Sequence, residues 1–202
     1  MDNRIYAPVS LPLKYQPMKT AYILFDNITL LDFIGVYDPL SRLRSQGHLP
    51  DFSWDLCALT PTVTDSFGLQ ISVDLVAPDL SGYDLIVVPG GHGTRALRYD
   101  PRLLDWLGTA TNVPLKTSVC TGALLLGAAG FLRGHRATTH FSEYEALAPY
   151  CATVVRETLV DDGKVITAGA VASSLELGLY LCQKFVGSER SESIRRSMAY
   201  RG

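Results

Sequence analysis

Cys120 lies between an apolar stretch and a run of small residues, in the segment KTSVCTGALLLGAAG at residues 116–130. If a strand ends before it and a helix begins after it, the thiol occupies a strand-to-helix turn. Thiolate is the reactive form of cysteine, and the free N–H groups of a helix N-terminus lower a cysteine pKa. The segment therefore indicates a nucleophile. An inert core thiol is the alternative, because cysteine is among the most buried residue types.

Two further segments carry groups that could assist such a thiol. In PGGHG, Gly90 and Gly91 could turn backbone N–H groups toward a pocket and stabilise negative charge, or they could form a plain tight turn. In LLDFIG, Asp32 has apolar neighbours, where an unpaired carboxylate is costly. It could move a proton beside the thiol, or it could cap a helix. His92 is expected to be a loop histidine and not a base.

The hydrophobic pattern predicts the elements that bring these segments together. Strands are predicted at residues 20–25 and in FSWDLCALT, YDLIVVPGG and PLKTSV, and helices at residues 30–46, 172–185 and 188–200, in DPRLLDWLGTATN and in CTGALLLGAAGFL. TVTDSFGLQISVD and TLVDDGKVITAG are predicted hairpins. This alternation predicts an α/β fold with a mostly parallel sheet covered by helices on both faces. The loops after residues 25, 88 and 119 should then meet at the carboxyl ends of the strands.

Composition narrows the class of protein. The chain has 202 residues, 47% hydrophobic, with a formal net charge of −2. Such a charge gives no attraction to nucleic acid or to an anionic membrane, and no apolar run reaches the roughly 20 residues of a membrane helix. We expect one domain at residues 19–202, preceded by a proline-containing arm at residues 1–18.

The cysteines indicate a cytoplasmic protein with reduced thiols, because they form no CxxC pair and no metal-ligand spacing. Cys57 and Cys182 are predicted to lie in the core, and Cys151 is predicted to be partly exposed. None of these three is assigned chemistry.

Four segments in order, LLDFIG, IVVPGGHG, TSVCTGALLLGAAGFLRGHRATTH and TAGAVASSLELGLYL, make the chain resemble the ThiJ/PfpI superfamily, also called class I glutamine amidotransferase-like. The chain is most similar there to isonitrile (isocyanide) hydratases. An aspartate stands in LLDFIG where many members carry glutamate, and Thr121 follows the cysteine where protease-like members carry histidine. The resemblance implies a flavodoxin-like three-layer α/β/α sandwich with a cysteine nucleophile elbow. It also implies a homodimer with the site near the interface.

The resemblance implies addition of water to an isonitrile, giving an N-substituted formamide, with a small-molecule substrate and no metal or organic cofactor. Cys120 is then the nucleophile, Asp32 handles the proton and the water, and Thr121 lines the pocket. Substrate or oxyanion contacts are expected from three glycines and one histidine: Gly35, Gly90, Gly91 and His140. For His140 a structural role is the alternative. Two other functions stay open, a glyoxalase or deglycase acting on reactive carbonyls and a ligand- or redox-sensing module.

Overall fold

The computed structural model describes residues 18–201, so the predicted arm, apart from Met18, lies outside the described residues. Eleven strands are present in this part of the chain: β1 (Lys19–Ile23), β2 (Ser53–Ala58), β3 (Thr62–Thr64), β4 (Gln70–Ser72), β5 (Leu75–Val76), β6 (Leu85–Val88), β7 (Leu115–Val119), β8 (Arg136–Ala137), β9 (Thr153–Val154), β10 (Leu159–Asp161) and β11 (Val165–Ala168). Seven helices accompany them: α1 (Leu30–Ser45), α2 (Thr94–Leu97), α3 (Pro101–Gly108), α4 (Gly122–Ala128), α5 (Tyr144–Leu147), α6 (Ser173–Val186) and α7 (Ser188–Ser197).

The central sheet has seven strands in the order β10-β11-β7-β6-β1-β2-β5, and only the pairing of β10 with β11 is antiparallel. Its middle strands are buried on both faces, which explains why β6 is a continuous apolar run, while β7 also buries Lys116, Thr117 and Ser118. Helices α1, α6 and α7 pack together on one face, and α2 to α5 pack on the other. The predicted three-layer α/β/α sandwich is confirmed.

Both predicted hairpins are present, as β3 with β4 and as β10 with β11. Their turns contain Gly68 at φ +95° and Gly163 at φ +82°, a left-handed conformation that glycine adopts without a steric penalty. The hydrophobic pattern therefore located the turns as well as the strands.

Helix α4 ends at Ala128, earlier than its apolar sequence predicts. Gly130 adopts φ +85°, its N–H donates to the carbonyl of Gly127, and the N–H of Phe131 donates to the carbonyl of Leu126. These bonds form a Schellman motif, which satisfies the last carbonyls of a helix and turns the chain away. The apolar residues after Gly130 pack as part of a turn.

Gly35 was expected among the substrate contacts, and the structure places it elsewhere. It lies on α1 where α6 crosses, and a side chain at this position would overlap with Ser174. Gly178 on α6 also lies close to α1, since a Cβ there would be 2.9 Å from the carbonyl oxygen of Gly35. Gly35 is therefore a helix-packing residue that lets α1 approach α6 closely.

Candidate active site

Cys120 lies directly after β7 and before α4, at φ +54°, which is an unfavourable backbone conformation for a residue with a side chain. Two hydrogen bonds hold it there. Its N–H donates to the carbonyl of Ala168 at 2.9 Å, and its carbonyl accepts from the Thr139 hydroxyl at 2.8 Å. The strained turn presents a thiol that is only 6% exposed. This is the geometry of a nucleophile elbow, as the sequence predicted.

Asp32 is fully buried in the first turn of α1, three residues after the N-cap residue Thr29. It is therefore not the helix cap that the sequence left open as an alternative. One carboxyl oxygen, Oδ2, accepts from the N–H of Gly90 at 2.9 Å. The other, Oδ1, is buried and has no hydrogen-bond partner in the part of the chain that the structure describes. A buried polar atom without a partner indicates a place where substrate, water or a proton is handled.

Burial raises the pKa of Asp32 from its ordinary value to about 7, although the Gly90 N–H and the Cys120 thiol both act to lower it. A carboxyl group with this pKa exists in both protonation states near neutral pH. It can therefore accept a proton in one step of a reaction and return it in the next.

The pKa of the Cys120 thiol is not lowered, contrary to the prediction that the N-terminus of the following helix would lower it. Burial and, after it, the negative charge of Asp32 raise the pKa of Cys120 to about 12, although the Thr121 N–H and hydroxyl act to lower it. Desolvation and a neighbouring carboxylate outweigh the short helix α4. The pair at neutral pH is thus a neutral thiol beside a carboxyl group that carries the available negative charge.

Thr121 joins the elbow to the loop after β6. Its hydroxyl accepts from the N–H of Gly91 at 3.0 Å and donates to the carbonyl of Gly91 at 3.1 Å. A side chain on Gly90 would lie 2.7 Å from Oδ2 of Asp32 and 2.8 Å from Cβ of Cys120. Only glycine fits between these two residues, so the PGGHG segment brings the acid and the thiol together.

The N–H groups of Gly90 and Gly91 were predicted to face a pocket. In the structure both are already bonded, Gly90 to Asp32 and Gly91 to Thr121. The physical reason is that the loop packs tightly over the elbow: a side chain on Gly91, whose φ is +144°, would collide with the backbone of Asn27 to Thr29. In this conformation the two glycines position catalytic candidates and offer no free donors to an oxyanion.

A cavity of about 430 Å³ opens above Cys120 and Thr121. Leu30, Leu31, Phe67 and Val171 give it an apolar lining, and His92, Arg95 and His140 contribute polar groups. His140 therefore lies at the predicted site. Its Nδ1 accepts from the backbone N–H of Ser142 at 3.2 Å, so Nε2 is the ring nitrogen that is left to donate.

Thr139 is a site residue that the sequence reasoning missed. It is fully buried, and its hydroxyl donates to the carbonyl of Cys120. Its neighbour Thr138 is anchored in turn, since the N–H of Thr138 donates to the Thr167 hydroxyl at 2.8 Å. The sequence contains no clear signal of this role, because the burial of Thr138 and Thr139 in the segment RATTH, beside the exposed Arg136, depends on the fold. Thr139 holds the backbone of Cys120 in place.

Replacing Thr139 with valine should lower the kcat of the reaction catalysed at Cys120 by about tenfold, because a buried hydrogen bond that holds the strained turn is lost. KM should change by less than about twofold, since Thr139 does not line the cavity. Thr139→Ser, which keeps the hydroxyl, should restore kcat. A fall in kcat for Thr139→Ser as large as that for Thr139→Val would contradict this role, because the serine variant keeps the hydroxyl that makes the hydrogen bond.

The remaining cysteines lie as predicted: Cys57 and Cys182 are buried, Cys151 is partly exposed, and all are free thiols. Within residues 18–201 no group of three or more histidine, cysteine, aspartate or glutamate side chains is placed to hold a metal ion. None of the helices in the same range is both long and apolar enough to span a bilayer.

Comparison with known proteins agrees with this arrangement. The DJ-1/PfpI family matches residues 18–184. Isonitrile hydratase of Pseudomonas putida is 36% identical over 91% of this chain and 78% of its own length. The crystal structure of a ThiJ/PfpI family protein from Pseudomonas syringae superposes with a TM-score of 0.83 at 26% identity, over 99% of this chain and 84% of that one.

A third similar protein is named as a transcriptional regulator and not as an enzyme. The HTH-type transcriptional regulator GbdR of Pseudomonas aeruginosa is 26% identical over 96% of this chain, which spans 54% of the regulator. The fold, the elbow and the extent of the family match lead to one conclusion: the chain belongs to the DJ-1/PfpI family.

Proposed function

We propose that the protein is a cysteine-dependent hydratase, a hydro-lyase that adds water to isonitriles and releases N-substituted formamides. One observation carries the proposal: a buried carboxyl group with a pKa near 7 lies beside a protonated thiol at the base of a cavity. The 36% identity to isonitrile hydratase of Pseudomonas putida supports the same reaction.

The first step suits a protonated thiol. The terminal carbon of R–N≡C carries a lone pair, so it accepts a proton before it becomes an electrophile. The Cys120 proton passes to this carbon, directly or through Asp32, and Sγ forms a bond to the same carbon. The product is the thioimidate R–N=CH–S–Cys120, and no electrons are gained or lost. Proton transfer and nucleophilic attack are thereby divided between two adjacent groups.

The second step uses the other protonation state of Asp32. Its ionised carboxylate accepts a proton from water, whose oxygen adds to the thioimidate carbon, and passes this proton to the substrate nitrogen. The hydroxyl group of the resulting tetrahedral adduct then gives its proton to Asp32. The carbon–sulfur bond then breaks, R–NH–CHO leaves, and the thiol regains its proton from Asp32. Over both steps one water is consumed and the pair returns to its starting state.

The decisive experiment is a product assay. Purified protein is mixed with an alkyl isonitrile, and in parallel with methylglyoxal, and the products are identified by mass spectrometry. An N-substituted formamide supports the hydratase. Lactate from methylglyoxal instead would move the protein to the glyoxalase class, and no turnover of either compound would reject both.

The similarity to a transcriptional regulator favours a ligand-sensing module as the second candidate. In that case the cavity should bind a small molecule without converting it. Redox sensing is less well supported, because a thiol with a pKa of about 12 has little thiolate to oxidise at neutral pH. Calorimetric binding of an isonitrile without formamide release would favour the sensor.

We also propose that the protein forms a homodimer and acts in the cytoplasm, where its free cysteines would stay reduced. The dimer proposal rests on large apolar side chains exposed around the mouth of the cavity. Leu31 and Ile34 on α1 are 50% and 44% exposed, and Phe67 and Leu69 on the β3–β4 hairpin are 95% and 61% exposed. Exposed apolar side chains of this size are typical of an interface, and a second copy of the chain would cover them.

Changing Ile34 to glutamate should convert the dimer to a monomer, because the interface would then contain an unpaired charge. Analytical ultracentrifugation measures the change. Tyr99→Glu is the matched control, since Tyr99 is an aromatic residue, 67% exposed, that does not line the cavity. A monomeric wild type, or a dimer that survives Ile34→Glu as well as Tyr99→Glu, would contradict the proposal.

A further inference from the structure

The cavity above Cys120 has a chemical asymmetry that the reaction at the thiol does not use. Its apolar lining comes from the β1–α1 segment, the β3–β4 hairpin and Val171, whereas its basic and imidazole groups come from the α2 region and from the segment that follows β8. Water addition to an isonitrile carbon needs no cation at this place. Arg95, His92 and His140 are therefore free to recognise the rest of the substrate.

Arg95 has unused hydrogen-bonding capacity. Its Nη2 donates to Oε1 of Glu143 at 2.6 Å, and within residues 18–201 no other hydrogen bond or ion pair involves this guanidinium. Arginine carries five N–H donors in a planar fork that matches a carboxylate. The pair with Glu143 also fixes the guanidinium at the edge of the cavity, so little side-chain entropy remains to be lost on binding.

The other polar groups of the cavity add to its donor character. Nδ1 of His140 accepts from the backbone N–H of Ser142, so Nε2 is the ring nitrogen that is left to donate. Asp65 is the acidic residue on the lining, and its Oδ1 already accepts from the N–H groups of Phe67 and Leu69, both at 2.8 Å. The Arg95 side of the cavity therefore offers more donors than the one that Glu143 engages.

We propose that Arg95, assisted by Nε2 of His140, binds an anionic group of the substrate, so that the preferred substrates are isonitriles that carry a carboxylate. This proposal rests on the hydratase function for the chemistry at Cys120. It adds that the R group of the isonitrile has an apolar part, which lies next to the β3–β4 hairpin, and a terminal anionic group, which faces Arg95. Glu143 positions the guanidinium and does not bind substrate.

Turnover of a matched pair of isonitriles tests the selectivity. The pair is cyclohexyl isonitrile and 4-isocyanocyclohexane-1-carboxylate, which differ in one anionic group. Arg95→Gln should lower kcat/KM for the acid by about tenfold or more, while the neutral compound changes by less than about twofold. Arg102→Gln, at an exposed arginine of α3 outside the cavity lining, should change neither value. An equal loss for both compounds, or no loss for the acid, would overturn the proposal.

Glu143→Gln distinguishes binding of the substrate anion by Arg95 from a purely structural role of the Arg95–Glu143 ion pair. It keeps a hydrogen-bonding side chain and removes the competing carboxylate, so selectivity for the acid should equal or exceed that of the wild type. A loss of selectivity as large as that of Arg95→Gln would reject recognition by the guanidinium and indicate that the ion pair only holds the segment bearing His140.

Alkylation of Cys120 tests the same subsite without any hydratase activity. Rates are measured for N-propyl iodoacetamide and for 3-(iodoacetamido)propanoate, and their ratio is divided by the ratio for free cysteine. Arg95→Gln should lower this normalised preference for the anionic reagent by about fivefold, whereas Arg102→Gln should leave it unchanged. If this preference depends on Arg95 and no isonitrile is hydrated, the anion subsite stands and the hydratase proposal fails. If the preference does not depend on Arg95, the subsite is rejected even when neutral isonitriles are hydrated.

Discussion

Formamide production from an isonitrile should fall by about 10⁴-fold or more when Cys120 is replaced by alanine, because no bond to the substrate carbon can then form. No neighbouring group can take over this role: Asp32 is held by the N–H of Gly90, and the Thr121 hydroxyl is engaged with Gly91 in both directions. The measurement is formamide release per enzyme under saturating isonitrile.

Controls for this variant must exclude unfolding. The side chain is small and lies at the edge of the cavity, so circular dichroism and the thermal midpoint should stay near those of the wild type. Cys151→Ala removes the other partly accessible thiol and should keep full activity. Turnover that survives Cys120→Ala, or that is lost in Cys151→Ala, would contradict the assignment of the nucleophile.

The fold could be predicted because its signals are local. Strand β6 is a short apolar run, the hairpin turns contain glycines, and the ends of parallel strands must share an edge of the sheet. These rules are enough to predict that the segments bearing Asp32, Gly90 and Cys120 lie close together. What the hydrophobic pattern could not fix was the end of α4, where the left-handed Gly130 outweighs the apolar residues that follow it.

The chemistry of the site was harder to predict, because it depends on long-range contacts. The sequence shows that Gly90 and Gly91 are flexible, and it does not show that both N–H groups are already bonded. It shows a thiol before a helix, and it does not show that burial and Asp32 raise the thiol pKa. The packing of Gly35 against Ser174 and the hydrogen bond from Thr139 to Cys120 were missed for the same reason, since each joins residues that lie far apart along the chain.

Asp32→Asn should separate proton transfer from the availability of the thiol. Loss of the carboxyl group should lower the rate of hydration by about 10² to 10⁴-fold, the usual contribution of a positioned acid–base group. The negative charge that raises the thiol pKa is also lost, so iodoacetamide should alkylate Cys120 at least as fast as in the wild type. Turnover assays and mass spectrometry of the labelled peptide measure the two rates. If both fall together, Asp32 shapes the site and does not transfer protons.

Comparison with Asp32→Asn should also show how much stability the folded wild type loses when the buried carboxyl group of Asp32 ionises. Because the pKa of Asp32 is raised from 3.8 to about 7 in the folded state, the folded protein binds more protons than the unfolded chain between these values. The stabilisation of the folded state by the proton on Asp32 is fully present below pH 3.8 and is lost as the pH rises through 7. At about 1.4 kcal/mol per pH unit, the loss is about 4 kcal/mol.

Urea unfolding of both proteins at several pH values measures this effect, because the difference in stability between them cancels the contributions of other groups. Relative to Asp32→Asn, the wild type should lose stability from pH 4 to pH 8, and the difference should level off above about pH 7. A difference that does not change with pH would mean that Asp32 titrates alike in the folded and unfolded chain. Its carboxyl group could then not hold the proton that the second step of hydration requires.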